Sequence, residues 1–203
     1  MTGASYIGIA AGILSLGGYI PYALKIVRGG IKPERASSLI WLLSNVLILM
    51  SYYALGARDT IWLPLAYVIG SAAVTALSFR YGTEGWGALE KFALGIAFIG
   101  AIRWIFFDNV LFTLLANLAI GLTTYLSPIK DLIQNPEQEK YKLVAWTVFF
   151  VGASLNLLAV PSWTLAISTM PIAVFVVNAL VFGLVAINML RAKKGPPQAP
   201  AVQ

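Results

Sequence analysis

The chain alternates long apolar stretches with short polar connections. Seven stretches can be marked along it, at residues 4–28, 36–57, 60–81, 88–107, 109–133, 141–160 and 164–190. Each has the length of about 20 residues that a helix needs to cross a bilayer. The pattern predicts an all-α polytopic membrane protein with seven transmembrane helices, whose immediate partner is the lipid bilayer.

Composition strengthens this prediction and removes several functional classes. The 203 residues are 59% hydrophobic and only 11% charged, whereas soluble domains are about 25% charged. The chain has no cysteine and no histidine, so it lacks the commonest general base and the commonest transition-metal ligand. We therefore expect no enzymatic activity, no metal and no cofactor.

The distribution of positive charge predicts the orientation of the helices. If the N-terminus is outside, only Arg58 and Arg103 face outwards, and twelve basic residues lie on the cytoplasmic side: Lys25, Arg28, Lys32, Arg35, Arg80, Lys91, Lys130, Lys140, Lys142, Arg191, Lys193 and Lys194. This follows the positive-inside rule. It also explains the net charge of +6 without a nucleic-acid partner. We expect an N-terminus outside and a C-terminus in the cytoplasm.

Two parts of the sequence repeat one another. Four features recur in order at offsets of 107, 103, 105 and 107 residues: Pro21 with Pro128, Pro33-Glu34 with Pro136-Glu137, Trp41 with Trp146, and Pro64 with Pro171. Internal repeats of this kind are typical of transporter folds. They predict a three-helix repeat at 1–86, a linker helix at 87–108, a second repeat at 109–191 and a disordered cytoplasmic tail at 192–203.

The linker helix decides the symmetry of this arrangement. Each repeat holds three helices, an odd number, so two repeats joined directly would be inverted. One intervening helix restores the same orientation, which predicts parallel repeats related by an axis along the membrane normal.

This 3+1+3 plan, with its proline in the first helix of each repeat, resembles the SWEET and PQ-loop (MtN3-like) superfamily of membrane transporters. The signature Pro-Gln dipeptide is replaced by Pro21-Tyr22 and Pro128-Ile129. The motif KPERASSLIW, residues 32–41, is similar to one in bacterial membrane proteins of PQ-loop-like build. The resemblance implies a bacterial or archaeal cell membrane and transport by alternating access.

Proline and tryptophan are the candidate hinge and gate residues. Pro21 and Pro128 each remove a backbone donor within a helix and favour a kink, and the resemblance implies a gating role. Trp41 and Trp146 begin the second helix of each repeat. They are interpreted either as interfacial anchors or as gate contacts.

Polar residues at mid-depth are the candidate substrate-binding residues, because such groups are costly in a membrane without a partner. They are Asn45, Ser71, Asn117 and Asn178. Ser71 and Asn178 are repeat mates, and in the resembled family this position usually carries a substrate-binding asparagine. Hydrogen bonding between helices is the alternative for all four.

Aromatic residues at the predicted site bear on the substrate. The family places a tryptophan near the outer end of the second helix, where this chain has Tyr52. The second repeat has Leu157 there, with Asn156 beside it. Because the paired aromatic residues of a sugar carrier are missing, a simple sugar is disfavoured. Tyr67, one turn before Ser71, is a further candidate for substrate contact.

Acidic residues are absent from mid-depth, since Glu90, Asp108 and Asp131 lie near predicted membrane boundaries. Proton-coupled carriers generally need an ionisable group in the pathway. The sequence therefore favours an uncoupled facilitator for a small polar solute. Arg103 lies inside a predicted helix, either snorkelling to the interface or contacting an anionic solute.

Other functions can be weighed against transport. A receptor or sensor on the same fold is the main alternative, although the short connections offer little surface to a protein partner. A retinal protein would need a lysine in the last helix, and residues 164–190 contain none. The sequence leaves open whether the chain acts as a monomer or as a homo-oligomer.

Overall fold

The computed structural model is all-helical, as the apolar pattern predicts. It describes residues 2–107, 109–123, 125, 129–130, 132–133 and 140–193. Within them lie seven helices: α1 (Gly3–Val27), α2 (Arg35–Ala54), α3 (Trp62–Tyr81), α4 (Ala88–Phe107), α5 (Val110–Thr123), α6 (Lys140–Leu158) and α7 (Leu165–Lys193). The all-α prediction is confirmed.

Four of the described helices are long and apolar enough to cross a membrane: α1, α2, α3 and the segment Leu165–Leu190 of α7. Helix α5 and the segment Leu143–Leu158 of α6 are apolar but shorter. Large apolar side chains such as Phe98, Ile105 and Phe106 are exposed on the outside of the bundle. Such a surface is compatible with an integral membrane protein.

Two glycines end the first two helices. Gly29 (φ +73°) follows α1 and Gly56 (φ +94°) follows α2, a left-handed conformation that only glycine adopts at little cost. The Gly56 and Ala57 amides donate to the carbonyls of Tyr53 and Tyr52. Helix α2 therefore ends at Ala54, three residues before the end that the apolar pattern predicts.

The helices pack in an order that differs from their order in sequence. Helix α1 lies mainly against α6 and α3, whereas α2 lies against α3, α5 and α4. Helix α6 also packs on α7, and α4 on α5. Helices α1 and α5 thus each contact a helix from the far part of the chain, α6 and α2 respectively.

Polar contacts tie the connections at both ends of the bundle. At the Arg35 end, where α1 and α3 end and α2 begins, Glu34 forms an isolated β-bridge with Thr83 and Arg35 forms an ion pair with Glu84 at 2.8 Å. At the opposite, Asp59 end, the Asp59 carboxylate accepts hydrogen bonds from the hydroxyls of Thr2 and Ser5. These contacts fix α1, α2 and α3 to one another.

Several residues named in the sequence analysis lie outside the described part of the chain. They are Pro128, Pro136, Glu137, Asp108 and Asp131. Helix α7 continues to Lys193, two residues into the predicted tail, and residues 194–203 also lie outside the described part.

Candidate functional site

One face of α2 carries the centre of the candidate site. Trp41, Asn45, Ile48 and Tyr52 follow one another at helical spacings of three and four residues, so they share one face. The first three line a cavity. The fourth lies beyond it, towards the Asp59 end, where it is fully buried.

The cavity lies between α2, α3, α5 and α7. Its wall is formed by Trp41, Asn45, Ile48, Tyr67, Leu118, Gly121, Leu122, Tyr125, Met170, Val174 and Val177. Its volume is about 30 Å³, enough for about two water molecules. In this conformation the cavity therefore has room only for molecules of about that size.

Three buried polar atoms at or beside the cavity have no hydrogen-bond partner among the described residues: Asn45 Nδ2, the Tyr67 hydroxyl and Asn178 Oδ1. The three side chains are 5%, 8% and 0% exposed. A buried polar atom left unpaired costs about 1–3 kcal/mol. The arrangement favours a polar molecule, water or solute, as their partner.

Asn178 and Ser71 occupy different surroundings although they are predicted repeat mates. Asn178 Nδ2 donates to the Val174 carbonyl at 2.8 Å, and its side chain lies within interaction range of the hydroxyls of Tyr67 and Tyr125. The Ser71 hydroxyl is buried and donates to the Val68 carbonyl at 3.1 Å. Asn178 thus stands directly behind the cavity wall, and Ser71 is satisfied within α3.

A contiguous group of rings borders the cavity towards the Arg35 end. This aromatic cluster contains Tyr19, Trp41, Tyr67, Tyr125, Trp146 and Phe149. Its rings contact one another at centroid distances of 5.2–6.1 Å, within the range of favourable aromatic pairs. It joins α1, α2, α3 and α6 with Tyr125, which follows α5.

Two tyrosine–tryptophan pairs form the ends of the aromatic cluster. Tyr19 stacks on Trp41 at 5.7 Å, and Tyr125 lies 5.9 Å from Trp146. Tyr125 follows Tyr19 by 106 residues, and Trp146 follows Trp41 by 105. Both tryptophans therefore have ring partners inside the bundle, a placement that favours the gate interpretation over lipid anchoring alone.

Sequence reasoning missed three members of the cluster: Tyr19, Tyr125 and Phe149. The first two could have been found by extending the repeat alignment, because their offset falls within the range of the other pairs. Phe149 has no such signal, since its counterpart at an offset of 105 is Ser44.

Asn117 and Asn156 do not line the cavity. Asn117 is fully buried on α5, and its Nδ2 donates to the Thr113 carbonyl at 2.9 Å. A methyl group at Gly100 of α4 would lie 3.3 Å from that nitrogen. Asn156 is fully buried on α6, and its two amide atoms have no partner among the described residues. Substrate contact by either residue remains a prediction.

Tyr52 ties α2 to α7 beyond the cavity. Its hydroxyl donates to the Ile167 carbonyl at 2.6 Å and lies 2.7 Å from the Thr60 hydroxyl. Pro171 explains why that carbonyl is free, because proline lacks the N–H that would otherwise bond the carbonyl four residues earlier. Tyr52, predicted to bind substrate, thus has both its hydrogen bonds within the protein.

Pro21, the predicted hinge residue of the first repeat, lies inside α1. It leaves the Gly17 carbonyl without its helical partner, and Gly17 and Gly18 weaken the same turn. Tyr19 stands within this segment. A bend here would move the ring at the centre of the aromatic cluster. Its predicted repeat mate, Pro128, lies outside the described residues.

Arg103 lies away from the cavity, near the end of α4. Its guanidinium stands over the rings of Phe107 and Phe112, at 5.0 and 5.5 Å from their centroids. Its Nε is buried without a partner among the described residues. The cation–π contacts hold the side chain at the α4–α5 contact, so an anionic solute in the cavity would not reach it.

The sequence matches no protein-family model, and no curated protein matches it significantly.

Proposed function

We propose that this protein is a membrane carrier that moves a small polar solute by alternating access. The observation that carries the proposal is the small cavity with two buried polar side chains on its wall, Tyr67 and Asn45, whose Nδ2 has no partner among the described residues. A cavity that stays dry is apolar, whereas one lined by polar groups holds a polar molecule. Polar groups kept unpaired at this depth are instead suited to a molecule that enters and leaves.

The helix contacts support a 3+1+3 arrangement of seven spans. In this arrangement α1–α3 and α5–α7 are the two repeats and α4 links them. The first helix of each repeat packs on the second helix of the other, α1 on α6 and α5 on α2. This pair of contacts is what a parallel pseudo-twofold axis would produce, and it is consistent with the resemblance to the SWEET and PQ-loop superfamily.

In this proposal, contacts between the two repeats close the cavity at its two ends. Towards the Arg35 end, Phe149 of α6 contacts the rings of Tyr19 and Tyr67. Towards the Asp59 end, Tyr52 of α2 bonds the Ile167 carbonyl of α7. Opening either closure separately would expose the solute to one side, which is the requirement for alternating access.

Charge supports an uncoupled carrier. No described residue on the cavity wall is acidic or basic, and coupling to protons generally needs an ionisable group in the pathway. By the positive-inside rule the Asp59 end is proposed to face outwards and the Arg35 end to face the cytoplasm of a bacterial or archaeal cell.

Thiol accessibility tests this mechanism without knowledge of the solute. The protein has no cysteine, so Leu118→Cys on the cavity wall gives a single thiol. We expect a membrane-impermeant maleimide to label it in both right-side-out and inside-out vesicles. The matched variant Phe98→Cys, on the exposed face of α4, should be labelled in neither, because it faces lipid.

The outcomes separate the functional classes. Labelling of Leu118→Cys from one side only, with no uptake of sugars, nucleosides, vitamins or amino acids by reconstituted liposomes, would favour a receptor or sensor. Labelling from neither side would contradict a cavity that opens to water.

A further inference from the structure

The wall of the cavity is mostly aromatic and aliphatic. Trp41, Tyr67 and Tyr125 contribute rings, and the described remainder is aliphatic apart from Asn45, Gly121 and the thioether of Met170. Such a wall stabilises a solute that presents apolar or aromatic surface. The few polar groups then fix its orientation, as is usual in small-molecule sites.

Charge on the solute is disfavoured by this wall. An ion moved from water into a closed apolar cavity loses its hydration and needs a counter-charge. The described lining residues supply none. The solute that fits is therefore uncharged.

The number of polar groups also disfavours a polyol. A hexose carries about five hydroxyls, and each one buried without a partner costs about 1–3 kcal/mol. The described wall residues with a polar side-chain group number only four: Trp41, Asn45, Tyr67 and Tyr125. Only a solute with a few polar atoms could have all of them paired.

We propose that the solute is an uncharged flat heterocycle with an amide-like edge, the chemistry of nucleobases and of nicotinamide. This proposal rests on the proposed carrier function. The unpaired Asn45 Nδ2 donates to the carbonyl oxygen of the solute. The Tyr67 hydroxyl pairs with a neighbouring nitrogen, and the rings of the wall pack on the heterocycle.

Room for such a ring must come from movement of the wall, because the closed cavity holds about 30 Å³. Trp41 and Tyr125 belong both to the wall and to the aromatic cluster. Opening of that cluster therefore widens the cavity and uncovers it in one motion.

Direct binding to the purified full-length protein tests the solute class. Radiolabelled uracil, hypoxanthine and nicotinamide are compared with glucose and arginine. At least one of the three heterocycles should bind ten times or more as tightly as either control. Absence of binding by all three, or tighter binding of glucose or arginine, would overturn the proposal.

Two variants locate the binding. Asn45→Leu and Tyr67→Phe should each weaken binding about five- to tenfold, because each removes one hydrogen bond to the solute. Ser44→Ala, a buried neighbour outside the cavity wall, and Tyr6→Phe, an exposed tyrosine, should bind as the wild type does. Tyr67→Phe removes one oxygen only, so it remains informative if Asn45→Leu does not fold. Wild-type affinity in both cavity variants would show that the heterocycle binds elsewhere.

Liposome uptake separates this proposal from the carrier function. If a heterocycle binds at Asn45 and Tyr67 but is not taken up, the proposed ligand class is supported and the carrier function is contradicted. If glucose or arginine is taken up and no heterocycle binds, the carrier function is supported and the proposed ligand class is contradicted.

Discussion

The α1–α6 contact and the α2–α5 contact are equivalent in the proposed repeat but are built differently. A methyl group at Gly152 of α6 would collide with the Ser15 hydroxyl and lie 3.2 Å from the Ala11 carbonyl oxygen. A methyl group at Gly121 of α5 would meet nothing nearer than Ile48 Cδ1, at 3.9 Å. The first contact is closely packed, whereas the second borders the cavity.

The difference originates beside the repeated tryptophans. At the offset of 105 that relates Trp41 to Trp146, Ser44 corresponds to Phe149. Phe149 fills its side of the bundle, where a methyl group at Gly18 would lie only 2.9 Å from its ring. On α2 the same offset leaves a serine. In the proposed repeat the two tryptophans are thus alike, whereas an aromatic ring on α6 corresponds to a small polar side chain on α2.

The largest effect is expected from a bulky residue in the closely packed contact. Gly152→Val should lower the free energy of unfolding by about 3 kcal/mol, because Ser15 and the α1 backbone have no room to yield. Gly121→Val is the matched control and should cost under 1 kcal/mol. Denaturation of the purified variants in detergent measures both. Equal losses would show that the two contacts are not packed differently.

The second-largest effect is expected when an aromatic side chain like those of α6 is placed on α2. Asn45→Phe places on the cavity wall the residue that α6 carries at position 150, at an offset of 105. Its ring should occupy the cavity and reduce maleimide labelling of Leu118→Cys at least tenfold. Ser44→Ala should leave labelling unchanged. Undiminished labelling in a folded Asn45→Phe protein would place the water pathway elsewhere.

The helices and the cavity differ in how far the sequence could predict them. The helices follow from apolar length and from Gly29 and Gly56, which act locally. Asn45 was identified because polar groups are costly at mid-depth, and Tyr67 because it lies one turn before the mid-depth Ser71. These signals need no knowledge of which helices touch.

Other features could not be predicted, because they depend on contacts between distant helices. The partner of Tyr52 is a carbonyl left free by Pro171, 119 residues later in the chain. Asn117 is, like Asn45, a polar residue at the predicted mid-depth of an apolar stretch, but it lies against α4. Helix packing decides which asparagine reaches the cavity. That packing depends on contacts between distant helices, which local sequence patterns do not reveal.

A smaller effect should follow from loss of the Tyr52 hydroxyl. Tyr52→Phe leaves the buried Ile167 carbonyl unpaired, since Pro171 cannot bond it, and should cost about 1–2 kcal/mol of unfolding free energy. It should also increase labelling of Leu118→Cys from the Asp59 end. Tyr53→Phe, whose ring is 56% exposed, should change neither quantity. If Tyr52→Phe changes neither the unfolding free energy nor the labelling, Tyr52 does not close the cavity at that end.

The smallest change in stability, but an informative one, is expected at the hinge of α1. Pro21→Ala restores the amide that can bond the Gly17 carbonyl, so it should stabilise the protein by up to about 1 kcal/mol. A straighter α1 holds Tyr19 against Trp41 and Phe149, and labelling of Leu118→Cys from the Arg35 end should slow several-fold. Pro64→Ala is the control, because Pro64 lies in the first turn of α3, where its missing N–H has no helical partner to lose. Unchanged labelling in Pro21→Ala would mean that α1 moves as a rigid rod in its close contact with α6, and that the gate must open through α2 and α5 instead.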